Sequence, residues 1–270
     1  YSLSKNPASD LLMYRDIGVG NSMFIMWANK FPDERSLESI VAEWITARFQ
    51  TAVEWREVSF QSADGWTLYG SLRLPRSDKG EAAPGVILLH SYLTDRYVFD
   101  QLEQMLAAAG LAALNFDFRG RGRSVGKGAY FDLPQEERDH AYLDARAAAD
   151  YLASQEGVDA NRLAIVATSI GVKYGLKAAI ADDRVKSFVM LGGMPDLADV
   201  EQARFPILFV SSLGLPQISQ AFREFYRMTR SRGSHLLEYE GGAVGYQIFD
   251  IDESLQPLIV RWLKPQLTVL

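Results

Sequence analysis

The chain has 270 residues, 48% of them hydrophobic and 23% charged, with 21 Gly, 10 Pro and no Cys. That composition excludes wholesale disorder and collagen-like architecture, and the missing thiols exclude a disulfide scaffold, cysteine-ligated zinc, iron–sulfur clusters and a cysteine nucleophile. A net charge of −6 argues against nucleic-acid binding, and no apolar run approaches the ~18 residues of a membrane-spanning helix.

The chain opens at Tyr1 rather than Met, so a trimmed or processed form is expected. Cytoplasmic and exported locations stand as equal expectations. Residues 1–52 read as an N-terminal extension packing on the main domain, which occupies 53–270. The extension is expected to be helical: Leu37, Ile40, Val41, Trp44 and Ile45 fall on one face of a helix over roughly 34–49. Met23, Phe24, Met26 and Trp27 form an apolar cluster that packing on the main domain would bury.

From residue 53 strands and helices alternate. Val53–Ser62 and Trp66–Pro75 flank Ala63-Asp64-Gly65, a hairpin signal. Val86–Leu89 is a buried apolar strand. The helix after it carries Val98, Phe99, Leu102, Met105, Leu106 and Ala109 on one face and stops at Gly110. Leu111–Phe116 is the next strand, and Ala145, Ala148, Ala149 and Leu152 mark the next helix. Leu163–Ala167 is a strand, Gly171–Ala181 a small-residue helix, Val185–Leu191 and Pro206–Val210 further strands. Ile218, Ala221, Phe222 and Phe225 mark a helix, Leu236–Glu240 a last strand, and Leu255, Leu258, Ile259, Trp262 and Leu263 a closing helix. A hairpin followed by strand–helix units predicts an α/β fold, a mostly parallel sheet with helices on both faces. In such sheets sites form in the loops leaving the carboxyl ends of the strands.

Three of those loops are informative. Ile165-Val166-Ala167-Thr168-Ser169-Ile170-Gly171 reads as strand, sharp turn and helix, with Ser169 at the apex between the small residues Ala167 and Gly171. A nucleophile elbow needs small residues there because the strained turn packs tightly against neighbouring backbone. The Ile170 amide, opening the helix, is placed to stabilise an oxyanion. A serine that merely caps a helix is the plainer reading of this motif alone. His90-Ser91-Tyr92 follows the strand Val86–Leu89, and Asp117-Phe118-Arg119-Gly120-Arg121-Gly122-Arg123-Ser124 follows the next. Gly120, Gly122 and Gly126 miss the dinucleotide-binding spacing by one residue, and no helical periodicity follows them. Arg119, Arg121 and Arg123 read as loop anchors and surface charge.

On these three motifs, in this order and spacing, residues from about 53 to 264 resemble the α/β-hydrolase superfamily. The short stretch between Gly192 and Pro206 leaves little room for a lid, as in its capless, dienelactone-hydrolase-like or peptidase-like branch. The resemblance implies an eight-stranded sheet, a nucleophile at Ser169, and oxyanion amides at Ile170 and Tyr92. Ser91 stands where the family has Gly.

A serine nucleophile needs a His to accept its proton and an acid to orient that His. In the resembled family the acid follows the penultimate strand and the His follows the last. Here Leu215 falls at the acid position and Val244 at the His position, inside the loop Glu240-Gly241-Gly242-Ala243-Val244-Gly245-Tyr246. Only three His exist. His235 opens the last strand, at the wrong end. His140 lies among Glu136, Glu137 and Asp139 at a helix start. His90 is at the correct end; in the family it is structural, and its alternative role is an unorthodox base to Ser169. Asp196 is the substitute acid, or simply a loop residue before the turn Asp199–Gln202.

Two functions are therefore expected to compete. One is a non-catalytic member that binds a small apolar ligand or a protein partner, with Leu215, Val244 and Tyr92 making the pocket apolar. The other is a serine esterase, acyl hydrolase or acyltransferase using Ser169 with His90 and Asp196. A recruited lyase or isomerase activity through Tyr246, Asp117 or Arg119 has no spacing in its favour. No cofactor, metal or nucleic acid is expected, and oligomeric state is left open.

Overall fold

The computed structural model describes residues 53–75 and 80–268, together with three short strands in the first fifty residues. The chain divides into two compact units, Tyr1–Thr51 and Ala52–Leu270. In the first, β1 (Ser4–Asn6), β2 (Leu11–Tyr14) and β3 (Met23–Met26) pair antiparallel in that order. The helix expected over 34–49, and Trp27 of the apolar cluster, lie outside the described residues.

The second unit is built on one eight-stranded sheet in the order β11-β10-β9-β8-β6-β7-β5-β4. Its strands are β4 (Val53–Gln61), β5 (Thr67–Pro75), β6 (Ala83–Leu89), β7 (Ala112–Phe116), β8 (Val158–Thr168), β9 (Val185–Leu191), β10 (Ile207–Ser212) and β11 (His235–Tyr239). The Asp64-Gly65 turn, with Gly65 at φ 81°, closes the β4–β5 hairpin. β5 pairs antiparallel with β7, and every pair from β7 to β11 is parallel.

Between the strands run α1 (Asp100–Ala108), α2 (Gln135–Asp139), α3 (Tyr142–Ala153), α4 (Ile170–Ala179), α5 (Leu197–Gln202), α6 (Pro216–Met228), α7 (Ile248–Ile251) and α8 (Leu255–Gln266). They cover both faces. Leu163, Ile165 and Ala167 of β8 join a core with α3, α4 and α6, whereas Ala164 and Val166 join one with α1, α7 and α8. Burial on both sides is why the central strands read as unbroken apolar runs rather than alternating ones.

One strand is much longer than its apolar run. β8 begins at Val158, five residues before Leu163, and pairs through Asp159 with Pro84 before the register shifts at Pro84/Gly85. Of its polar opening residues, Asp159 pairs with β6, and its carboxylate holds the Asn161 amide and the Arg162 guanidinium. α2 and α7 are too short to show a helical period and were not expected.

The strand order reverses at β6, which has β7 on one side and β8 on the other. In open α/β sheets such a switch point opens a crevice at the carboxyl ends of the strands. The loops carrying His90 and Ser169 leave the sheet there.

Candidate functional site

Ser169 ends β8 and opens α4 with φ 54° and ψ −121°, and among the described residues it is the only non-glycine with positive φ. Its surroundings impose that conformation. A Cβ at Gly171 would lie 2.6 Å from the Leu89 carbonyl oxygen and 2.9 Å from that of His90. A Cβ at Gly193 would overlap the Ser169 carbonyl. β6, β8 and the turn after β9 thus close on the serine backbone, leaving its side chain half-buried. Ser169 Oγ makes no hydrogen bond to any described residue. The Tyr92 and Ile170 amides likewise donate none, and they leave adjacent strands paired through Leu89 and Ala167.

The loops that hold Leu215 and Val244 are bonded to each other. Leu213 N–H donates to Tyr239 O (2.8 Å) and Gly214 N–H to Gly241 O (2.7 Å), and Ser212 Oγ donates to the Ala243 carbonyl. The second loop rests on the elbow: Tyr246 N–H donates to Thr168 Oγ1 (3.2 Å), which donates to Leu191 O (3.0 Å). A Cβ at Gly192 would lie 3.0 Å from Val244 Cγ1. Leu215 is half-buried and its carbonyl accepts from the first turn of α6 (Ile218 N–H, 2.9 Å). Val244 is half-buried in the turn before α7, its N–H donating to Gln247 Oε1 (3.2 Å). Both side chains are hydrocarbon and accept no proton.

The three imidazoles are all engaged or remote. His90 is fully buried. Its Nε2 accepts from Phe118 N–H (3.0 Å), which places the proton on Nδ1, and Nδ1–H donates to Ser91 O (2.6 Å). Burial pushes its pKa below the ordinary 6.5 and holds it neutral. The Asp117 carboxylate, 4.0 Å from Nε2, instead accepts from the amides of Arg96 and Arg123 (3.0 Å each) and ties the glycine loop together. His140 Nδ1 lies 3.9 Å from Asp64 Oδ2. His235 pairs with Leu208 at the start of β11, on the order of 13 Å from that strand's carboxyl end at ~3.3 Å per residue. Asp196 precedes α5, largely exposed, with Oδ1 3.6 Å from Lys173 Nζ. The structure brings Ser169, Tyr92, Ile170 and the Val244 loop to one end of the sheet and, among the described residues, gives Ser169 neither His nor carboxylate as hydrogen-bond partner.

Arg119 is an anchor of an unexpected kind. It is fully buried, bonded to Asp144 (Nη2–Oδ1 2.6 Å), Asp64 (Nη1–Oδ2 2.7 Å) and the Glu137 carbonyl (3.0 Å), and it lies over the Trp66 ring. Arg121 holds the Thr94 carbonyl and Arg123 the Glu57 carboxylate, so all three arginines have partners within the chain. Among the described residues no group of three or more His, Asp or Glu could hold a metal ion, and no helix is long and apolar enough to cross a membrane. Two surface crevices, of about 470 and 490 Å³, lie beside Phe60 and Tyr151 and beside Phe205 and Leu267, and Ser169 lines neither.

The elbow, the glycine loops and the sheet order together define a hydrolase scaffold. Residues 86–264 match the alpha/beta hydrolase family, and the chain belongs to it. It is 30% identical over 153 residues to an uncharacterized protein of Mycobacterium tuberculosis, covering 57% of this chain and 50% of that one. The chain thus spans about half the length of that curated relative. Among solved structures it resembles an esterase of Pyrococcus furiosus (TM-score 0.63, 16% identity, 81% of this chain and 92% of that one). It also resembles a dienelactone hydrolase of Anabaena variabilis (TM-score 0.63, 19% identity, 80% and 99%).

Proposed function

We propose that this protein is a non-catalytic α/β hydrolase that holds a small apolar ligand, or a protein partner, where its relatives carry out hydrolysis. One observation supports the reading: no imidazole is hydrogen-bonded to Ser169, His90 having both nitrogens on backbone, His140 facing Asp64 and His235 opening β11. A neutral hydroxyl is a poor nucleophile without a base. Removing base and acid from a serine triad costs on the order of 10⁶ in turnover, and oxyanion stabilisation alone leaves roughly 10³–10⁴ over water. Leu215 and Val244 put hydrocarbon where the resembled family carries acid and base.

The test is turnover of p-nitrophenyl butyrate by the full chain and by Ser169→Ala. Equal, near-background rates are expected. A wild-type rate hundreds of times that of Ser169→Ala would overturn the reading.

A second reading has its own support: the strained Ser169 backbone is what a nucleophile requires, and a binding protein gains nothing from it. Ser169 would then act as an acyl-accepting nucleophile in an esterase or acyltransferase, with His90 as base, assisted by Asp196, after releasing the Phe118 amide. It calls for covalent labelling of Ser169 by a fluorophosphonate probe, slowed at least tenfold by His90→Ala. An unlabelled Ser169 after hours of exposure would dismiss it.

A further inference from the structure

We propose that the ligand of this site carries a planar aromatic ring with a carbonyl or carboxylate group, the ring lying against Tyr92 and Phe131 beside Ser169. This rests on the non-catalytic reading and names the chemistry of what is held.

Three rings from the loops after β6 and β7 form a platform. Tyr92 stacks on Tyr130 (centroids 5.8 Å, interplanar angle 16°), and Phe131 stands edge-on to both (5.5 and 5.7 Å, 86° each). Tyr130 is the fixed member: it is buried, and it neighbours Tyr174 on α4, the helix that Ser169 opens, closely enough to help hold that phenol protonated. The platform thus borders the helix of the elbow. Tyr92 is half-buried and Phe131 is 56% exposed, so these two rings carry the free surface.

The turn after β9 is also apolar. Gly193 packs on the Ser169 carbonyl, and the next residue, Met194, is exposed, as is Leu197 at the start of α5. Leu93 is exposed beside Tyr92. Large apolar side chains left in water on the loops after β6, β7 and β9, which flank the β8 loop that carries Ser169, mark a binding surface. Ring edges and faces and a methionine sulfur favour an aromatic ring over an alkyl chain of equal area, through quadrupole and sulfur–ring contacts. The polar end is supplied by the Tyr92 and Ile170 amides, which donate to nothing in the described chain and fit a carbonyl or carboxylate oxygen.

The experiment is isothermal titration of the full chain with 1-naphthoate and with octanoate, two carboxylates that differ in ring against chain. Naphthoate is expected to bind about tenfold more tightly. Phe131→Ala is expected to weaken naphthoate by about tenfold and octanoate by less than about twofold, while Trp55→Ala, which removes an exposed ring on β4, changes neither. Equal affinities, preference for octanoate, an equal loss of both in Phe131→Ala, or binding of neither at millimolar concentration overturns the proposal. Octanoate preference would leave the non-catalytic reading standing, whereas Ser169-dependent ester turnover would remove that reading and leave the ring preference to be judged by the titration.

Discussion

Ser169 holds φ 54° although L-residues resist that region, a conformation costing about 1–3 kcal/mol that persists only where the surroundings over-determine it. Glycine adopts it freely, at an entropic cost of about 0.5–1 kcal/mol in the unfolded chain. Ser169→Gly is therefore expected to raise stability by about 1 kcal/mol in urea unfolding. Gly171→Ala should do the reverse, by about 1–3 kcal/mol, because its Cβ would meet the Leu89 carbonyl oxygen, which is backbone and cannot swing aside. A destabilised Ser169→Gly would show that the turn is not strained.

His90 makes a pH prediction. Its folded pKa lies below the ordinary 6.5, so the folded state binds fewer protons than the unfolded one. Its contribution is present in full above pH 6.5 and is lost as pH falls below that value. Unfolding free energy between pH 7.5 and 5 should fall with a slope approaching ~1.4 kcal/mol per pH unit, and that part of the slope should vanish in His90→Asn. An unchanged slope in the variant would place the pH dependence elsewhere.

At the scale of elements, the segment from Asp117 to Ser124 is held by charges rather than by apolar packing. Asp117 gathers two amides, and Arg119 runs inward to Asp144 on α3, to Asp64 in the hairpin turn and to the carbonyl of Glu137 on α2. Arg119 and Asp144 are each fully buried. Burial pushes the Asp144 carboxyl up to about 6, while the guanidinium beside it opposes that rise. Asp144→Asn leaves a buried cation short of its counter-charge and should cost about 3–5 kcal/mol in urea unfolding, far more than an exposed ion pair would. A loss under about 1 kcal/mol would mean that Asp64 alone neutralises Arg119. The sequence showed these arginines in a glycine-rich loop. That one of them is core could not be read, because its partners lie 55, 18 and 25 residues away.

At the scale of the whole molecule, the sheet brings together loops from far apart in the chain. The turn after β10 is bonded to that after β11, and the latter rests on Thr168 next to Ser169. If residues 215 and 244 stand where acid and base act in the family, Leu215→Asp with Val244→His should raise p-nitrophenyl acetate hydrolysis by about 10²-fold, general-base catalysis contributing about 10²–10⁴. Adding Ser169→Ala should abolish the gain. A double variant that folds yet hydrolyses no faster than wild type would mean that these loops do not aim at the serine.

The hairpin, the strand–helix alternation and the sharp turn at Ser169 were all legible in the chain, because each rests on a local pattern: a turn dipeptide, a period or a short motif. The polar opening of β8, the short helices α2 and α7 and the buried state of Arg119 were not, because pairing and burial by distant residues produce them. The tertiary structure alone decided the state of His90. Its sequence position left it either a structural residue or a base, and the partner of its Nε2, the Phe118 amide, lies 28 residues on. A hydrogen bond between strands' ends depends on which loops the sheet makes neighbours, and no local pattern carries that information.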